Sequence, residues 1–227
     1  MIRRHIRFSS TIRQRNSVKN WKDKLTGEPA FILGNGPSIN DVDLTILSPF
    51  FTVGINRIFY AFDPTVLFWQ DIELWYSDRK KILETNAIKV CRDGADPQNR
   101  FFHYKLEGNG YRIPEHLNIL FGRGSTGPLA VQFAYMLGCD PIILVGCDCK
   151  SRGHATDFYG RNRHHLPHTM ANCRKGLQWI KDFITPHRQV ISCSNNDIFP
   201  TVPLNEVIQG FPSERRKQRN HWSTLLL

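Results

Sequence analysis

Short runs of apolar residues alternate along the chain with longer segments in which apolar residues recur every three or four positions. The short runs have the length and composition of buried strands, at 30–33, 50–55, 65–69, 87–91, 118–121, 142–145 and 189–193. The longer segments have the apolar spacing of helices, at 72–85, 126–137 and 169–184. Uniformly apolar strands that alternate with helices are typical of parallel sheets covered on both faces. We therefore predict an α/β fold with a single Rossmann-like, mostly parallel sheet and helices on both of its faces.

Polar residues follow the first three predicted strands, at the edge where such sheets bind ligands. The first strand runs into Gly34-Asn35-Gly36-Pro37-Ser38, whose glycines permit a tight turn and whose Pro-Ser pair suits a helix start with free N–H groups. We expect this turn to hold a phosphate or a nucleotide. Asn56 follows the second strand, and Gln70 and Asp71 follow the third, where they are suited to bind a base or a ribose hydroxyl. An ordinary turn or turn cap is the alternative at each position.

A second anion site is predicted at the start of the helix 126–137. Arg123-Gly124-Ser125-Thr126-Gly127 brings an arginine and two hydroxyls to a helix N-terminus, an arrangement that favours a carboxylate or a phosphate. The alternative is that Ser125 or Thr126 only caps the helix.

The composition is that of a folded globular protein, with 227 residues, of which 41% are hydrophobic and 22% are charged. The net charge of +10 is concentrated at the ends, because residues 1–28 hold eight Lys/Arg against two Asp/Glu and residues 213–227 hold four against one. We therefore predict a basic N-terminal extension over 1–28, one α/β domain over 29–212 and a basic C-terminal tail over 213–227. Contact with an anionic surface, such as a nucleic acid or a phospholipid, is one role for these ends, and a solvated tail is the alternative. The arginines suited to that contact are Arg3, Arg4, Arg7, Arg13 and Arg15.

No apolar run reaches the roughly 18 residues that a membrane span requires. The six cysteines do not have the density of a disulfide scaffold, so we expect reduced thiols and a cytoplasmic protein. Cys147-Asp148-Cys149 precedes several histidines, but its spacing is not that of the usual zinc knuckle, and we expect no metal site. A peripheral association with a membrane or a nucleic acid through the basic ends and a homo-oligomeric state both remain open.

Taken in order, the motifs resemble those of bacterial sialyltransferases of glycosyltransferase family 42. The series spans residues 29 to about 200 and consists of Gly34-Asn35-Gly36-Pro37-Ser38 with Asp43, Gly54-Ile55-Asn56, Arg123-Gly124-Ser125-Thr126-Gly127, Gly146-Cys147-Asp148, His168 and Cys193-Ser194-Asn195. The opening Gly-Asn-Gly-Pro-Ser motif is also shared with a broader set of proteins, which includes the archaeal 6-hydroxymethylpterin diphosphokinase type.

The resemblance implies an inverting transfer of a sugar from a nucleotide-activated donor, CMP-sialic acid in the known family members, without a metal or another cofactor. It also implies that His168 is the general base and that Asn195 lies near it. The donor-binding residues that it implies are Asn35, Asn56, Ser125 and Thr126. An imidazole at the start of a helix is suited to take the proton of an acceptor hydroxyl, and His164 and His165 are the rivals of His168 for this role.

The predicted lid over 149–167 is short, with 19 residues between Asp148 and His168. Tyr159 and Lys150 would replace two tyrosines that hold the leaving phosphate in the family, and Gln70-Asp71 stands where the family has a second asparagine. These departures leave the nucleotide and the donor sugar open. Basic lid residues predict an anionic substrate, and a solvated loop is the alternative. They are Arg152, His154, Arg161, Arg163, His164 and His165.

We predict a glycosyltransferase that moves a sugar from a nucleotide-sugar to a hydroxyl of a glycan or of a modified DNA base. One alternative is a pterin diphosphokinase-like phosphoryl transferase that uses ATP and magnesium held by Asp71 and Asp148. The other is a non-catalytic module that binds a nucleotide or a nucleic acid. The residues assigned to catalysis are His168, Arg123 and Tyr159. Those assigned to nucleotide or donor binding are Gly34, Asn35, Gly36, Ser38, Asn56, Gln70, Asp71, Ser125, Thr126, Gly127, Asp148, Lys150 and Asn195.

Overall fold

The computed structural model describes residues 17–122, 124–162, 167–212 and 219–227. Within these residues the strands are β1 (Ala30–Leu33), β2 (Phe51–Ile55), β3 (Val66–Trp69), β4 (Ile88–Arg92), β5 (Phe102–Glu107), β6 (Ile119–Phe121), β7 (Ile142–Val145) and β8 (Val190–Ser192). The helices are α1 (Ile72–Glu84), α2 (Thr126–Met136), α3 (Pro167–Trp179), α4 (Leu204–Gln209) and α5 (Arg219–Leu226). Short 3-10 helices are found at Val18–Trp21, Pro37–Asp41, Leu44–Leu47 and Asn56–Tyr60, and a π-helical turn at Ile180–Ile184 continues α3.

The strands form one sheet in the order β6-β5-β4-β3-β2-β1-β7-β8, and every neighbouring pair is parallel. The chain moves outward from β1 to β6 and then returns to place β7 on the other side of β1. The strand order therefore reverses between β1 and β7. In open α/β sheets the crevice for ligands lies at the carboxyl ends of the strands at such a reversal.

Both faces of the sheet are covered, as predicted. Ala30 and Ile32 of β1 belong to a hydrophobic cluster with α2, α3 and α5, while Phe31 and Leu33 belong to a second cluster with α1 and α4. All the residues of β1, β2, β3 and β7 are buried. This double burial explains why these strands are mostly apolar in the sequence. The expectation of a parallel Rossmann-like sheet with helices on both faces is confirmed.

One strand was not predicted. β5 has the sequence Phe-His-Tyr-Lys-Leu-Glu, in which apolar and polar residues alternate. Tyr104 is buried, whereas Lys105 and Glu107 are exposed. Alternation of this kind is the pattern of a strand with one covered face. β5 lies next to the edge strand β6, so it does not share the uniform burial of the central strands.

The two ends of the chain enter the body further than the predicted domain limits. Trp21 is buried against Phe102, and the N–H groups of Leu25 and Gly27 donate to carbonyls at the end of α2 and just after it. At the other end, Trp222 is fully buried against Phe51. The fold therefore includes residues 17–28 and α5, because their apolar side chains complete the core. Residues 1–16, which carry the arginines proposed for anionic contacts, and residues 213–218 lie outside the described residues.

A disulfide joins Cys149, after β7, to Cys173 of α3. This differs from the expectation of reduced thiols, which holds for the other four cysteines. The sequence could not reveal the pairing, because the two residues are separated by 24 positions and meet only when α3 packs over the end of β7. No helix in the described parts of the chain is both long and apolar enough to cross a membrane.

Candidate active site

A cleft of about 650 Å³ opens where the strand order reverses. The carboxyl ends of β1, β2, β3 and β7 form one side of it. The first turns of α1, the start of α2, one face of α3 and the segment 156–162 also line it. Its floor is apolar, with Val131, Leu144, Leu177 and Ile180. Polar side chains from all of these elements surround the apolar floor, so the cleft is suited to a polar small molecule.

The glycines of the first turn are required by the packing of two turns against each other. A Cβ atom on Gly34 would lie 2.2 Å from the carbonyl oxygen of Gly146, and one on Gly36 would lie 2.5 Å from Oδ2 of Asp148. The N–H of Gly36 donates to the carbonyl of Gly146 at 2.8 Å. The Gly-Asn-Gly motif therefore lets the turn after β1 contact the turn after β7.

Ser38 and Asp148, which were both predicted to bind the nucleotide, bind each other. The carboxylate of Asp148 accepts the N–H of Ser38 at 2.8 Å and its hydroxyl at 2.5 Å, and both residues are buried. The negative charge thus lies at the start of the 3-10 helix Pro37–Asp41, where we expected a phosphate. A protein carboxylate supplies the anion at this helix start.

Asn35 has an unmet hydrogen-bonding group in the wall of the cleft. Its Nδ2 donates to the carbonyl of Ile55 at 2.8 Å, which fixes the orientation of the amide. Its Oδ1 is buried without a partner among the described residues, and Asn35 is only 8% exposed. A buried acceptor left unpaired costs roughly 1–3 kcal/mol. A ligand with a hydroxyl or amine hydrogen at this position would satisfy it.

Asn56, Gln70 and Thr126 come together as a hydrogen-bonded chain across the cleft wall. Nε2 of Gln70 donates to the Thr126 hydroxyl at 3.0 Å, and this hydroxyl donates to Oδ1 of Asn56 at 3.5 Å. Asn56 adopts a left-handed backbone conformation, with φ of 49°, that turns the chain sharply at the end of β2. Because these hydrogen bonds use Nε2 of Gln70 and Oδ1 of Asn56, Nδ2 of Asn56 is left as a donor and Oε1 of Gln70 as an acceptor for a ligand.

Arg57 is a site residue that the sequence analysis missed. Its Nε donates to Oδ2 of Asp78 at 2.9 Å and its Nη2 donates to the Ser77 hydroxyl at 2.9 Å. Burial opposes the ionisation of Asp78, but hydrogen bonds from Ser77 and Tyr60 and the charge of Arg57 outweigh it, so the pKa of this carboxyl is lowered. A signal was present, because Arg57 directly follows Asn56 at the end of a strand.

Tyr159 of the lid lies in the cleft beside Arg57. Burial raises the pKa of its phenol, the charge of Asp157 raises it further, and Arg57 partly offsets both. The phenol therefore stays protonated at neutral pH. Its oxygen accepts a hydrogen bond from Nδ2 of Asn162 at 3.2 Å. The hydroxyl hydrogen of Tyr159 has no hydrogen-bond acceptor among the described residues.

The lid is fastened to the first turn by its main chain. The N–H of Phe158 donates to the carbonyl of Asn35 at 2.8 Å, and the carbonyl of Phe158 accepts from Nδ2 of Asn40 at 2.8 Å. Arg152 forms an ion pair with Asp41 outside the cleft. One of the basic side chains expected to meet an anionic substrate is therefore paired with a carboxylate of the 3-10 helix Pro37–Asp41.

Lys150 and Asn195 lie outside the described lining of the cleft. Lys150 is paired with Asp197 at 3.0 Å. Asn195 is exposed and lines a separate cavity of about 380 Å³, of which Ser38 also forms part. Nucleotide contacts by these two side chains stay a prediction.

His168, the predicted base, is exposed in the first turn of α3. The next two residues, Thr169 and Met170, line the cleft, as does Cys173 one turn further on. The ring of His168 is not part of the described lining, so its role depends on how it reaches a bound acceptor. His164, His165, Arg163 and the predicted catalytic Arg123 lie outside the described residues.

The remaining predicted residues have simpler positions. Ser125, Thr126 and Gly127 line the cleft at the start of α2, and Asp71 lines it at the start of α1. Within the described chain, no three His, Cys, Asp or Glu side chains are grouped as a metal site would require. Cys149, considered above for zinc, is bonded to Cys173.

No family model matches the chain, and no curated protein matches its sequence. Two solved structures that are similar to it are those of the sialyltransferase CstII from Campylobacter jejuni, in complex with the substrate analogues cytidine-5'-monophosphate and CMP-3FNeuAc. The first is 14% identical with a TM-score of 0.48, and the similarity covers 78% of this chain and 86% of that one. The second is 15% identical with a TM-score of 0.41, covering 72% and 79%. Similarity at this level carries no information on substrate or mechanism, which have to be argued from the residues of this chain.

Proposed function

We propose that this protein binds a nucleotide-activated sugar in the cleft and transfers the sugar to a hydroxyl group of an acceptor. The observation that carries the proposal is that two kinds of polar group lie in one cleft. Oδ1 of Asn35 is a buried acceptor without a partner among the described residues, so a ligand hydroxyl or amine would stabilise it by donating a hydrogen bond. Arg57 and Tyr159, which both line the cleft, are donors suited to bind an anion. A nucleotide-sugar carries both, because its sugar hydroxyls flank a phosphate.

The transfer needs one bond to break and one to form. The bond between the anomeric carbon and the phosphate oxygen breaks, its electron pair leaves with the nucleotide, and the acceptor oxygen bonds to the carbon. In the proposal His168 takes the proton of the acceptor hydroxyl and the hydroxyl of Tyr159 stabilises the leaving phosphate. The resemblance of the motif series to family 42 supports the same assignment. We also propose that the acceptor hydroxyl belongs to a glycan or to a modified DNA base.

Ligand binding by the purified protein tests the first half of the proposal. Calorimetric titration with CMP, UDP, GDP and ADP, with their sugar derivatives and with the matching nucleosides should find one nucleotide series that binds. Asn35→Ala should weaken that binding roughly tenfold, because it removes the acceptor that a ligand hydroxyl or amine satisfies. Asn109→Ala, in an exposed loop outside the cleft, is the matched control. A wild-type protein that binds none of these compounds would contradict the proposal.

Transfer of a labelled sugar tests the second half. With the nucleotide-sugar that binds, His168→Ala should lower turnover about a hundredfold or more while leaving nucleotide affinity unchanged. Turnover that survives EDTA supports the sugar transfer, whereas phosphoryl transfer from ATP that EDTA abolishes would support the diphosphokinase-like alternative. Full turnover by His168→Ala would remove this histidine from the mechanism.

A further inference from the structure

Arg57 is the only Lys or Arg side chain among the described residues that line the cleft. Four carboxylates also line it, those of Asp71, Glu73, Asp148 and Asp157. Of these, Asp148 is engaged by Ser38. These carboxylates therefore repel an anionic ligand over much of the described wall, whereas the guanidinium of Arg57 attracts it.

Arg57 is held in place before any ligand arrives. Asp78, which binds Nε and Nη2, is 8% exposed and also accepts the hydroxyls of Tyr60 and Ser77, each at 2.6 Å. Ser77 in turn accepts from Nη2. Both acceptors of the guanidinium lie on α1, and Tyr60, on the same 3-10 helix as Arg57, donates to one of them, so one edge of the guanidinium is fixed. A fixed guanidinium loses less conformational entropy when it binds an oxyanion than a free one does.

Tyr159 supplies a second donor in the same cleft. Nδ2 of Asn162 donates to the phenol oxygen, which leaves the hydroxyl hydrogen as a donor, and the nearby charge of Arg57 offsets part of the rise that burial causes in the pKa of the phenol. Tyr159 lies in the lid directly after Phe158, whose main chain is bonded to Asn35 and Asn40. Two donors, one on the 3-10 helix Asn56–Tyr60 and one in the lid, therefore both line the cleft.

We propose that Arg57 is the oxyanion anchor of the cleft, which binds the phosphate of the nucleotide-activated donor and orients Tyr159 of the lid towards the same group. The inference rests on the proposed function, whose site it deepens. Arg57 would bind any oxyanion. A donor with an acidic sugar carries two such groups, the phosphate and the carboxylate of the sugar. We assign the phosphate as the group that Arg57 binds, because a tetrahedral group with several acceptor oxygens can accept from both Arg57 and Tyr159.

The test compares nucleotide with nucleoside in the same titration. For the nucleotide that binds the wild-type protein, Arg57→Gln should lose roughly 10- to 100-fold in affinity, the range for a charge-assisted hydrogen bond, while the matching nucleoside should bind as before. Tyr159→Phe should weaken the nucleotide less than tenfold, and the two changes together should be less than additive, because Arg57 acts partly through Tyr159. Arg79→Gln, exposed on α1 and outside the cleft, controls for the loss of one positive charge.

The affinities of the Arg57 variants distinguish an oxyanion anchor from a residue with a structural role only. Equal nucleotide affinity in Arg57→Gln, Arg79→Gln and the wild-type protein would leave Arg57 with a structural role only and overturn the inference while the proposed function stands. A free acidic sugar that loses affinity in Arg57→Gln while the nucleotide does not would show that the bound oxyanion is a carboxylate, and would overturn the phosphate assignment. If Arg57→Gln does not fold, Arg57→Lys replaces it. That variant keeps the charge but not the fork of donors, so a nucleotide affinity equal to that of the wild-type protein would reject the inference. A wild-type protein that binds no nucleotide rejects the proposed function itself.

Discussion

Gly34 and Gly127 both lie in the lining of the cleft, but only Gly34 is confined by its neighbours. Gly34→Ala would place a methyl group 2.2 Å from the carbonyl oxygen of Gly146, and the main chains of β1 and β7 would have to separate. We expect a loss of about 3 kcal/mol or more in the free energy of unfolding. Gly127→Ala meets no atom within 4 Å and has no left-handed φ, so it should be neutral or stabilise by up to about 1 kcal/mol. Urea denaturation of both variants checks this, and equal stabilities would contradict the packing argument.

The carboxylate of Asp78 should make stability depend on pH in the acid range. Its pKa is lowered from the ordinary value of 3.8, so the stabilisation is complete above about pH 4 and is lost as the pH falls through the lower pKa of the folded state. Asp78→Asn should therefore cost roughly 2 kcal/mol at pH 7, by removing a charge-assisted partner of Arg57, and less at pH 3. Thermal unfolding of both proteins from pH 3 to 7 measures the difference.

Glu84→Gln is the matched control for Asp78→Asn. Glu84 is on the same helix and pairs with Lys81, but the two side chains are 48% and 57% exposed. An exposed pair of this kind contributes little, so the change should stay within about 0.5 kcal/mol at every pH. A difference between wild type and Asp78→Asn that grows towards acid pH would contradict the assignment of the lowered pKa.

At the residue scale, the sequence predicts which side chains reach the cleft better than what they bind. Asn35, Asn56 and Gln70 each follow a buried strand, and the carboxyl ends of parallel strands necessarily share one edge. The partners of Ser38 and Asp148 could not be predicted, because they are separated by 110 positions and meet only after β7 is placed beside β1. Arg57 directly follows Asn56 at the end of β2, which was a signal for the cleft, but its partners on α1 could not be predicted from that position.

At the scale of elements, the predictions succeeded where burial is symmetric and failed where it is not. The central strands are covered on both faces and appear in the sequence as apolar runs, whereas β5 shows only alternation. The apolar positions Val18, Trp21 and Leu25 have helical spacing, but they are surrounded by basic residues whose charge suggested a solvated extension. The burial of these three side chains shows that net charge does not decide whether a segment joins a core.

The Cys149–Cys173 disulfide should stabilise the segment that begins the lid. It closes a loop of about 25 residues, for which the chain-entropy relation gives roughly 3 kcal/mol. The double variant Cys149→Ser, Cys173→Ser should lose about that much free energy of unfolding and should become more sensitive to proteolysis within 149–162. Denaturation followed by mass spectrometry of the first cleavage products measures both effects.

Reduction provides the control for the disulfide. A thiol reductant should destabilise the wild-type protein to the level of the double variant and should leave the double variant unchanged. Thiol titration of the unreduced, denatured protein should count four free cysteines out of six. A count of six would show that the bond does not form in solution, and the stability difference would then need another cause.

At the scale of the whole molecule, the reversal of strand order decides where ligands can bind. β1 and β7 are neighbours, yet the chains that leave them continue to opposite sides, so the turns after them bound a crevice. The Gly34–Gly146 contact closes the base of this crevice, and Asn35 and Asp148 lie beside it.

The positive charge of the molecule is not located at this crevice or elsewhere in the body, since residues 29–212 hold 18 Lys/Arg against 17 Asp/Glu. Attraction of a polyanion is therefore expected at the ends of the chain rather than at the body.

The basic ends should bind duplex DNA or an anionic membrane through charge alone, and salt separates this from site-specific contact. Replacing Arg3, Arg4, Arg7, Arg13 and Arg15 by Gln should lower the slope of log K against log salt concentration on duplex DNA by up to about 4.5, since each neutralised phosphate contributes about 0.9. Replacing Arg79, Lys80 and Lys81 on α1 should change the slope much less, because that charge belongs to a nearly neutral body. Vesicles with and without anionic lipid, titrated in parallel, separate a membrane from DNA as the partner. If the five replacements leave the slope and the vesicle binding unchanged, the arginines are solvated residues without an anionic partner.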